Sequence, residues 1–98
     1  MNKIGILATP ETIKRSYLDD LISEFAHDCE VTKVGSEELV RIAENWLVCG
    51  ELDSESVRNI IEPFKSHGSI DTVVLGCTHF PLMRKQLEQM MPAIKWVD

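Results

Sequence analysis

Short apolar segments alternate along the chain with longer segments in which apolar residues recur every three or four positions. The short segments are typical of β-strands and the longer ones of amphipathic helices. Right-handed crossovers between such elements give an open parallel sheet with flanking helices. We therefore predict an α/β fold of about four strands, a Rossmann-like or flavodoxin-like three-layer sandwich with the order β-α-β-α-α-β-α-β. The predicted strands cover residues 3–8, 29–34, 72–75 and 95–97.

Helix boundaries are marked by residues that cap helices or disrupt them. The first helix is predicted to be continuous and amphipathic, because apolar residues recur from Ile13 to Phe25. The second helix is expected to end near Gly50. In the third, Pro63 lacks an amide proton and is expected to kink or end the helix. The residues predicted to cap the first three helices are Thr9, Ser36 and Asp53.

Two of the predicted strands differ in their hydropathy pattern. Residues 29–34 alternate with period two and are rich in β-branched side chains, which is typical of an edge strand. Residues 72–75 are apolar without alternation, the pattern of a central strand covered by helices on both faces.

Length and charge narrow the class of protein. A chain of 98 residues is enough for one small domain, so we predict a single domain over residues 1–98. The net charge of −6 argues against binding to nucleic acid or to an anionic membrane surface. We expect neither a membrane-spanning segment nor a secretion signal. Three cysteines without paired short spacing argue for reduced thiols, and therefore for a cytoplasmic protein.

Cys77 and His79 follow the predicted central strand, where ligands bind in open α/β sheets. The amides at the start of the next helix favour a thiolate at Cys77, and His79 could exchange a proton with that thiol or with a substrate. The alternative is that Cys77 is a small buried hydrophobe.

The spacing around Cys77 also tests other cysteine chemistries. A phosphate-binding Cys-x5-Arg loop would need arginine at position 83, which is Met83. No second tight Cys or His pair accompanies Cys77-x-His79, so neither a zinc site nor any other metal site is predicted. Cys29 and Cys49 have no histidine or cationic cluster beside them in sequence, and a packing role is the better interpretation for both.

Residues 73–82 form a motif that is specific enough to indicate a protein family. Their sequence, VVLGCTHFPL, resembles the LGCTH(Y/F)PL signature around the second catalytic cysteine of glutamate racemases, in the cofactor-independent aspartate/glutamate racemase superfamily. Residues 4–17 are similar to the IG-x-LAT-x-x-T-x-x-x-x-Y pattern that starts the second half of these enzymes. The resemblance covers essentially the whole chain.

The resemblance implies that the chain is the second, C-terminal cysteine domain of a racemase. Members of the family are much longer and hold glutamate between two α/β domains; the first contributes an Asp-Ser loop, a Tyr-Gly pair and an Ala-Cys-Asn-Thr loop that are not present here. Two thiols on opposite faces of the substrate then interconvert L- and D-glutamate without a cofactor. The implied role is the supply of D-glutamate for peptidoglycan, and the isolated domain is expected to be inactive.

Regulation is also implied by the resemblance. Residues 15–17 and 35–38 resemble a branch of the family in which some members depend on a peptidoglycan-precursor activator.

The resemblance further assigns candidate site residues. Cys77 matches the second thiol, and Thr78 and His79 match positions that contact the substrate or assist that thiol. Glu44 aligns with a helical glutamate near the active-site histidine, although a solvated carboxylate at the edge of an amphipathic helix is the alternative. Thr9 and Thr12 also match the family pattern, but capping and loop roles explain them equally well.

Two other functions remain open at the level of sequence. The chain could be a non-catalytic α/β module that binds a ligand at Thr78 and His79. It could also belong to a racemase for aspartate or another amino acid, because substrate selectivity depends partly on residues outside this chain.

Overall fold

Four parallel strands form one sheet in a computed structural model that describes residues 2–25, 27–66, 70–76 and 79–97. The strand order is β2-β1-β3-β4. Residues Asn2–Ala8 of β1 pair with Cys29–Gly35 of β2, with Asn2 opposite Cys29. On the other side, Ile4 pairs with Thr72 in β3, which in turn pairs with Lys95 in β4. The strand bounds are β1 Asn2–Ala8, β2 Cys29–Gly35, β3 Ile70–Leu75 and β4 Lys95–Val97.

Within the described residues, five α-helices connect these strands, in the chain order β-α-α-β-α-α-β-α-β. The helices are α1 Pro10–Ile13, α2 Ser16–Phe25, α3 Glu37–Cys49, α4 Ser54–Ser66 and α5 Arg84–Met90. A short 3₁₀ turn, Phe80–Met83, precedes α5. The predicted fold class, the number of strands and the parallel sheet are confirmed, as are the edge position of β2 and the central position of β3.

Helices lie on both faces of the sheet. A Cβ atom added at Gly35 would lie 3.3 Å from Ile13 Cγ1, which places α1 on one face. On the same face, Lys33 forms an ion pair with Asp19 of α2. A Cβ atom added at Gly5 would instead meet the Phe64 ring, so α4 lies on the opposite face. This arrangement follows from right-handed crossovers, because the connection from β1 to β2 and the connection from β2 to β3 run in opposite directions along the sheet.

The hydrophobic core lies on the face of the sheet that α4 covers, between the strands and the helices packed against them. Phe64 and Trp96 meet edge to face, with ring centroids 6.3 Å apart and planes at 79°. The core joins the sheet to α3, α4, α5 and the 3₁₀ turn through Leu7, Leu39, Ala43, Val57, Ile61, Phe64, Ile70, Val73, Leu75, Phe80, Met83, Leu87, Ile94 and Trp96.

The predicted helix caps are confirmed. Thr9 Oγ1 accepts a hydrogen bond from Thr12 N, and Asp53 Oδ1 accepts one from Ser56 N at 3.2 Å. Ser36 Oγ accepts one from Leu39 N at 3.0 Å. Gly50 ends α3 in the left-handed conformation, with φ 77°, which glycine adopts without steric cost.

Two expectations about helices are wrong. The first predicted helix is divided into α1 and α2 by a turn in which Arg15 N donates to Thr12 O at 3.2 Å. Tyr17 and Leu21, on its expected apolar face, are 51% and 45% exposed. Of the two effects expected of Pro63, ending the helix is wrong, because α4 continues to Ser66, while a kink stays a prediction. The buried Phe64 ring holds the last turn in the core despite the missing amide proton.

The expectation that helices cover both faces of β3 is also wrong. Val74 is 38% exposed, whereas its neighbours Val73 and Leu75 are buried. The face of β3 opposite the core is therefore only partly covered by the described residues. No helix within these residues is long and apolar enough to cross a membrane.

Candidate functional site

Three loops meet at the carboxyl edge of the sheet. Gly76, directly after β3, donates its N–H to Leu7 O at 2.8 Å, and Ser36, before α3, donates its N–H to Ala8 O at 3.0 Å. A Cβ atom at Gly76 would lie 3.1 Å from Ala8 Cβ, so the ends of β1 and β3 approach closely. The order of the strands reverses between β1 and β3, because β2 lies on one side of β1 and β3 on the other. In open α/β sheets, ligands bind in the crevice at such a switch point.

His79 and Glu44 are brought together beside this edge. His79 Nε2 lies 3.7 Å from Glu44 Oε2. Their side chains are 36% and 59% exposed, so water screens the contact. The two groups form an ion pair only when the imidazole is protonated. The arrangement can therefore hold an imidazole near a carboxylate in a position that a ligand could reach.

The packing of two elements positions this pair. Phe80 and Met83 are fully buried and anchor the 3₁₀ turn that follows His79. Ala43 and Leu39 are fully buried on the inner face of α3, which leaves Glu44 at the margin of that face. A histidine and a glutamate 35 positions apart in sequence consequently become neighbours.

Cys77 and Thr78 were predicted as the reactive thiol and a substrate contact, and both lie outside the described residues. The described residues on either side of them are Gly76 and His79. Their assignment stays a prediction.

Thr9 and Thr12 lie at the end of β1. Their hydroxyl oxygens are 3.0 Å apart, and Thr9 also caps α1. Thr9 lines a shallow groove of about 310 Å³ together with Arg41 of α3. The capping role expected of Thr9 is thus present at the carboxyl end of β1.

The other two cysteines differ from each other in exposure. Cys29 is half-buried. The pKa of its thiol is raised, mainly by desolvation and also by the nearby Asp28 carboxylate, and a raised pKa disfavours the thiolate. Cys49 is exposed, so its predicted packing role is wrong; its Sγ lies 3.1 Å from Asn45 O, to which the thiol donates. The end of α3 leaves this side chain in solvent.

Potential metal ligands are dispersed among the described residues. Among residues 2–25, 27–66, 70–76 and 79–97, no three His, Cys, Asp or Glu side chains are grouped so that they could hold a metal ion.

The fold and the pair at the carboxyl edge define a parallel α/β domain with ionisable groups where such domains bind ligands. Residues 1–98 match the family model described as Asp/Glu/hydantoin racemase, and the chain belongs to this family. The resemblance identified from sequence is therefore confirmed.

Curated relatives include the glutamate racemases of Histophilus somni strain 129Pt, 47% identical, and Glaesserella parasuis, 43% identical. Each match covers 95% of this chain and 35% of the relative. The chain thus spans about a third of the length of the curated relatives that it matches.

Solved structures agree with this assignment. The Escherichia coli glutamate racemase in complex with L-glutamate and the activator UDP-MurNAc-Ala superimposes with a TM-score of 0.92 and 40% identity. That match covers 99% of this chain and 37% of the E. coli chain. A glutamate racemase isoform from Bacillus anthracis gives a TM-score of 0.82 with 25% identity, covering 97% and 36% of the respective chains.

Proposed function

We propose that this chain supplies one side of the active site of a cofactor-independent glutamate racemase, as the second of two α/β domains. The contact between His79 and Glu44, at the carboxyl edge of the sheet in a member of the racemase family, is the observation that carries the proposal. Cys77 is the thiol of this half. A second thiol comes from the part of the racemase that this sequence does not include.

Inversion at a carbon atom explains why two thiols are needed. One thiolate removes the proton from Cα of glutamate, and the opposite thiol donates a proton to the other face. The Cα–H bond breaks and a new one forms, and the first sulfur ends protonated while the second ends as a thiolate. A single base that returned its own proton to the same face would regenerate the starting enantiomer.

His79 and Thr78 assist this transfer on the side of Cys77. In the protonated form, the His79 imidazolium stabilises a nearby thiolate or the substrate carboxylate by charge. Glu44 lies 3.7 Å from this imidazole and attracts it when the ring is charged. The attraction is modest, because both side chains are exposed to water.

We infer the physiological role from the resemblance to glutamate racemases. D-glutamate produced in the cytoplasm supplies peptidoglycan synthesis, and a peptidoglycan precursor activates the enzyme. UDP-MurNAc-Ala is such an activator in the E. coli relative, whose structure contains it. The isolated chain is inactive because it carries only one of the two proton-transfer groups.

The proposal is tested in a chimera, in which this chain replaces the corresponding third of the H. somni glutamate racemase. The chimera should racemise L-glutamate and incorporate solvent deuterium at Cα, both measured by chiral chromatography with mass spectrometry. Cys77→Ser should reduce kcat by about 10²–10⁴-fold. Cys49→Ser, at an exposed cysteine away from the site, should leave kcat unchanged. Racemisation by the isolated chain, or an active Cys77→Ser chimera, would contradict the proposal.

The contribution of Glu44 is tested separately. Glu44→Gln in the chimera should lower kcat by no more than about fivefold, because a screened, exposed pair contributes up to about 1 kcal/mol. Glu51→Gln, at an exposed glutamate, is the control and should preserve kcat.

A further inference from the structure

Gly76 is the first residue after the central strand β3, and it has no space for a side chain. Its φ is not positive, since Gly50 is the only glycine with a positive φ among the described residues. An alanine could therefore adopt the same backbone conformation. What excludes a side chain is a close approach, because a Cβ atom at Gly76 would lie 3.1 Å from Ala8 Cβ and 3.7 Å from Leu7 O.

The end of β1, on the other side of this contact, has little freedom to move. Ala8 is fully buried, and its carbonyl oxygen accepts a hydrogen bond from Ser36 N at 3.0 Å. The preceding carbonyl, Leu7 O, accepts one from Gly76 N at 2.8 Å, which continues the pairing of β1 with β3 beyond the last strand residue. Gly76, in contrast, is exposed. A side chain added there would therefore displace the loop after β3 rather than the end of β1.

The size of this displacement follows from the contact distance. Carbon atoms in contact are usually about 3.5–4.0 Å apart, so a methyl group at Gly76 would push the loop about 0.5 Å away from Ala8. The groups of an active site have to be held within about 0.5 Å of their productive positions. Thr9 directly follows Ala8 in sequence, and Cys77 directly follows Gly76. A change at this contact is thus one residue away from the proposed thiol.

We propose that Gly76 is a positioning residue: its lack of a side chain sets how closely the loop that carries Cys77 approaches the end of β1. The inference rests on the proposed function, in which the thiol of this loop exchanges a proton with glutamate. Gly76 touches no substrate and acts through the position of the loop. Because the opposing atom is the methyl group of Ala8, a smaller residue at position 8 would make room for a larger one at position 76.

The test exchanges the sizes of these two residues in the H. somni chimera. Gly76→Ala should lower kcat for racemisation about tenfold and leave KM within about threefold, because a misplaced reacting group affects the chemical step more than binding. Adding Ala8→Gly removes the opposing methyl group and should restore kcat to within about threefold of the parent.

Unfolding temperatures of this chain alone separate positioning from a structural role. Gly76→Ala should leave Tm within about 2 °C, because alanine restricts the unfolded state and so offsets the small clash. Ala8→Gly should lower Tm by about 4 °C or more, because it removes a fully buried methyl group from a strand. The double variant should therefore combine a reduced Tm with a restored kcat. A loss of more than about 8 °C in Gly76→Ala would make Gly76 a structural residue and overturn the proposal.

Gly5→Ala is the matched control, since it adds the same methyl group at a different position of the sheet. The clash there is with Phe64 Cε1 in the core, at 2.6 Å. This variant should lower Tm, while kcat of the folded chimera stays within about threefold of the parent. A loss of kcat equal to that in Gly76→Ala would mean that any strain in the sheet slows the reaction, which would contradict the proposal.

A second readout does not depend on racemisation. In NMR spectra of this chain, the amide signals of Thr9 and His79 should shift in Gly76→Ala and return toward their parent positions when Ala8→Gly is added. Unchanged signals in Gly76→Ala would show that the loop is not displaced, and the proposal would then be wrong. It would also be wrong if kcat of the Gly76→Ala chimera were unchanged, or if the double variant were as slow as Gly76→Ala alone. A parent chimera that does not racemise glutamate would contradict the proposed function, and the amide signals would then decide whether Gly76 positions the loop.

Discussion

Gly5 in the middle of β1 is the position where the smallest substitution should disturb the core most. A Cβ atom at Gly5 would lie 2.6 Å from Phe64 Cε1, 2.7 Å from Phe64 Cδ1 and 3.1 Å from Val73 Cγ2. These distances are well inside the normal contact distance between carbon atoms. Gly5→Ala therefore requires the aromatic ring to move.

The ring has little room to do so. Phe64 is 1% exposed and meets Trp96, itself 2% exposed, edge to face at 6.3 Å. An overpacked core of this kind loses about 1–3 kcal/mol. Alanine recovers about 0.5–1 kcal/mol, because glycine is unfavourable inside a strand. The expected net loss is about 1 kcal/mol, which lowers Tm by about 4–8 °C in a domain of this size.

Urea and thermal unfolding of the isolated chain, followed by circular dichroism, measure this effect. The slope of the free energy of unfolding against urea should not change, because the folded state remains compact. Phe64→Leu provides the control background: with the ring removed, adding Gly5→Ala should no longer destabilise the chain, and the two changes should be strongly coupled. A Gly5→Ala variant as stable as the parent, or an equal loss in the Phe64→Leu background, would refute the steric argument.

Three other substitutions test local features of the fold by the same unfolding measurements. Ser36→Ala should destabilise the chain by about 1 kcal/mol, because it removes the acceptor for Leu39 N, and Ser36→Asp should not. Leu87→Ala should cost about 2–5 kcal/mol, because this side chain is fully buried in the core; a loss below about 1 kcal/mol would contradict that packing. Asp53 has its pKa lowered by hydrogen bonds from Ser56 Oγ and Ser56 N. Its stabilising effect should be complete above the unfolded pKa and should disappear as pH falls through the lower folded pKa. The stability advantage over Asp53→Asn should therefore shrink below about pH 4, and a constant difference from about pH 7 to about pH 2 would contradict this explanation.

Local chemistry explains which parts of the fold could be predicted from the sequence. A cap such as Ser36 acts on an amide three residues away, and Gly50 adopts a positive φ that other residues disfavour. Each of these two features depends only on residues a few positions apart in sequence. The strand pattern at residues 29–34 is similarly local, and it correctly placed β2 at the edge of the sheet.

The wrong predictions concern residues whose state depends on distant contacts. Pro63 remains inside α4 because Phe64 packs against the sheet, and the sequence of the helix carries no information about that contact. Val74 is apolar in a central strand, yet it is 38% exposed because the described helices on its face lie toward β1 and β2. Hydropathy alone cannot distinguish a surface covered within this chain from one left open.

In the candidate site, too, local signals could be predicted from the sequence and contacts between distant residues could not. His79 could be placed at the carboxyl edge from the strand that precedes it, whereas Glu44 was selected through the family resemblance. Their 3.7 Å contact depends on how α3 packs against the 3₁₀ turn, which no periodicity in either segment specifies.

The exposure of the pair limits what Glu44 contributes to the proposed chemistry. A carboxylate and an imidazolium 3.7 Å apart interact weakly while both are open to water. Under the proposed function, the two thiols therefore carry the proton transfer, and Glu44 adds a smaller effect through its contact with His79. This order explains why Cys77→Ser is expected to reduce kcat far more than Glu44→Gln.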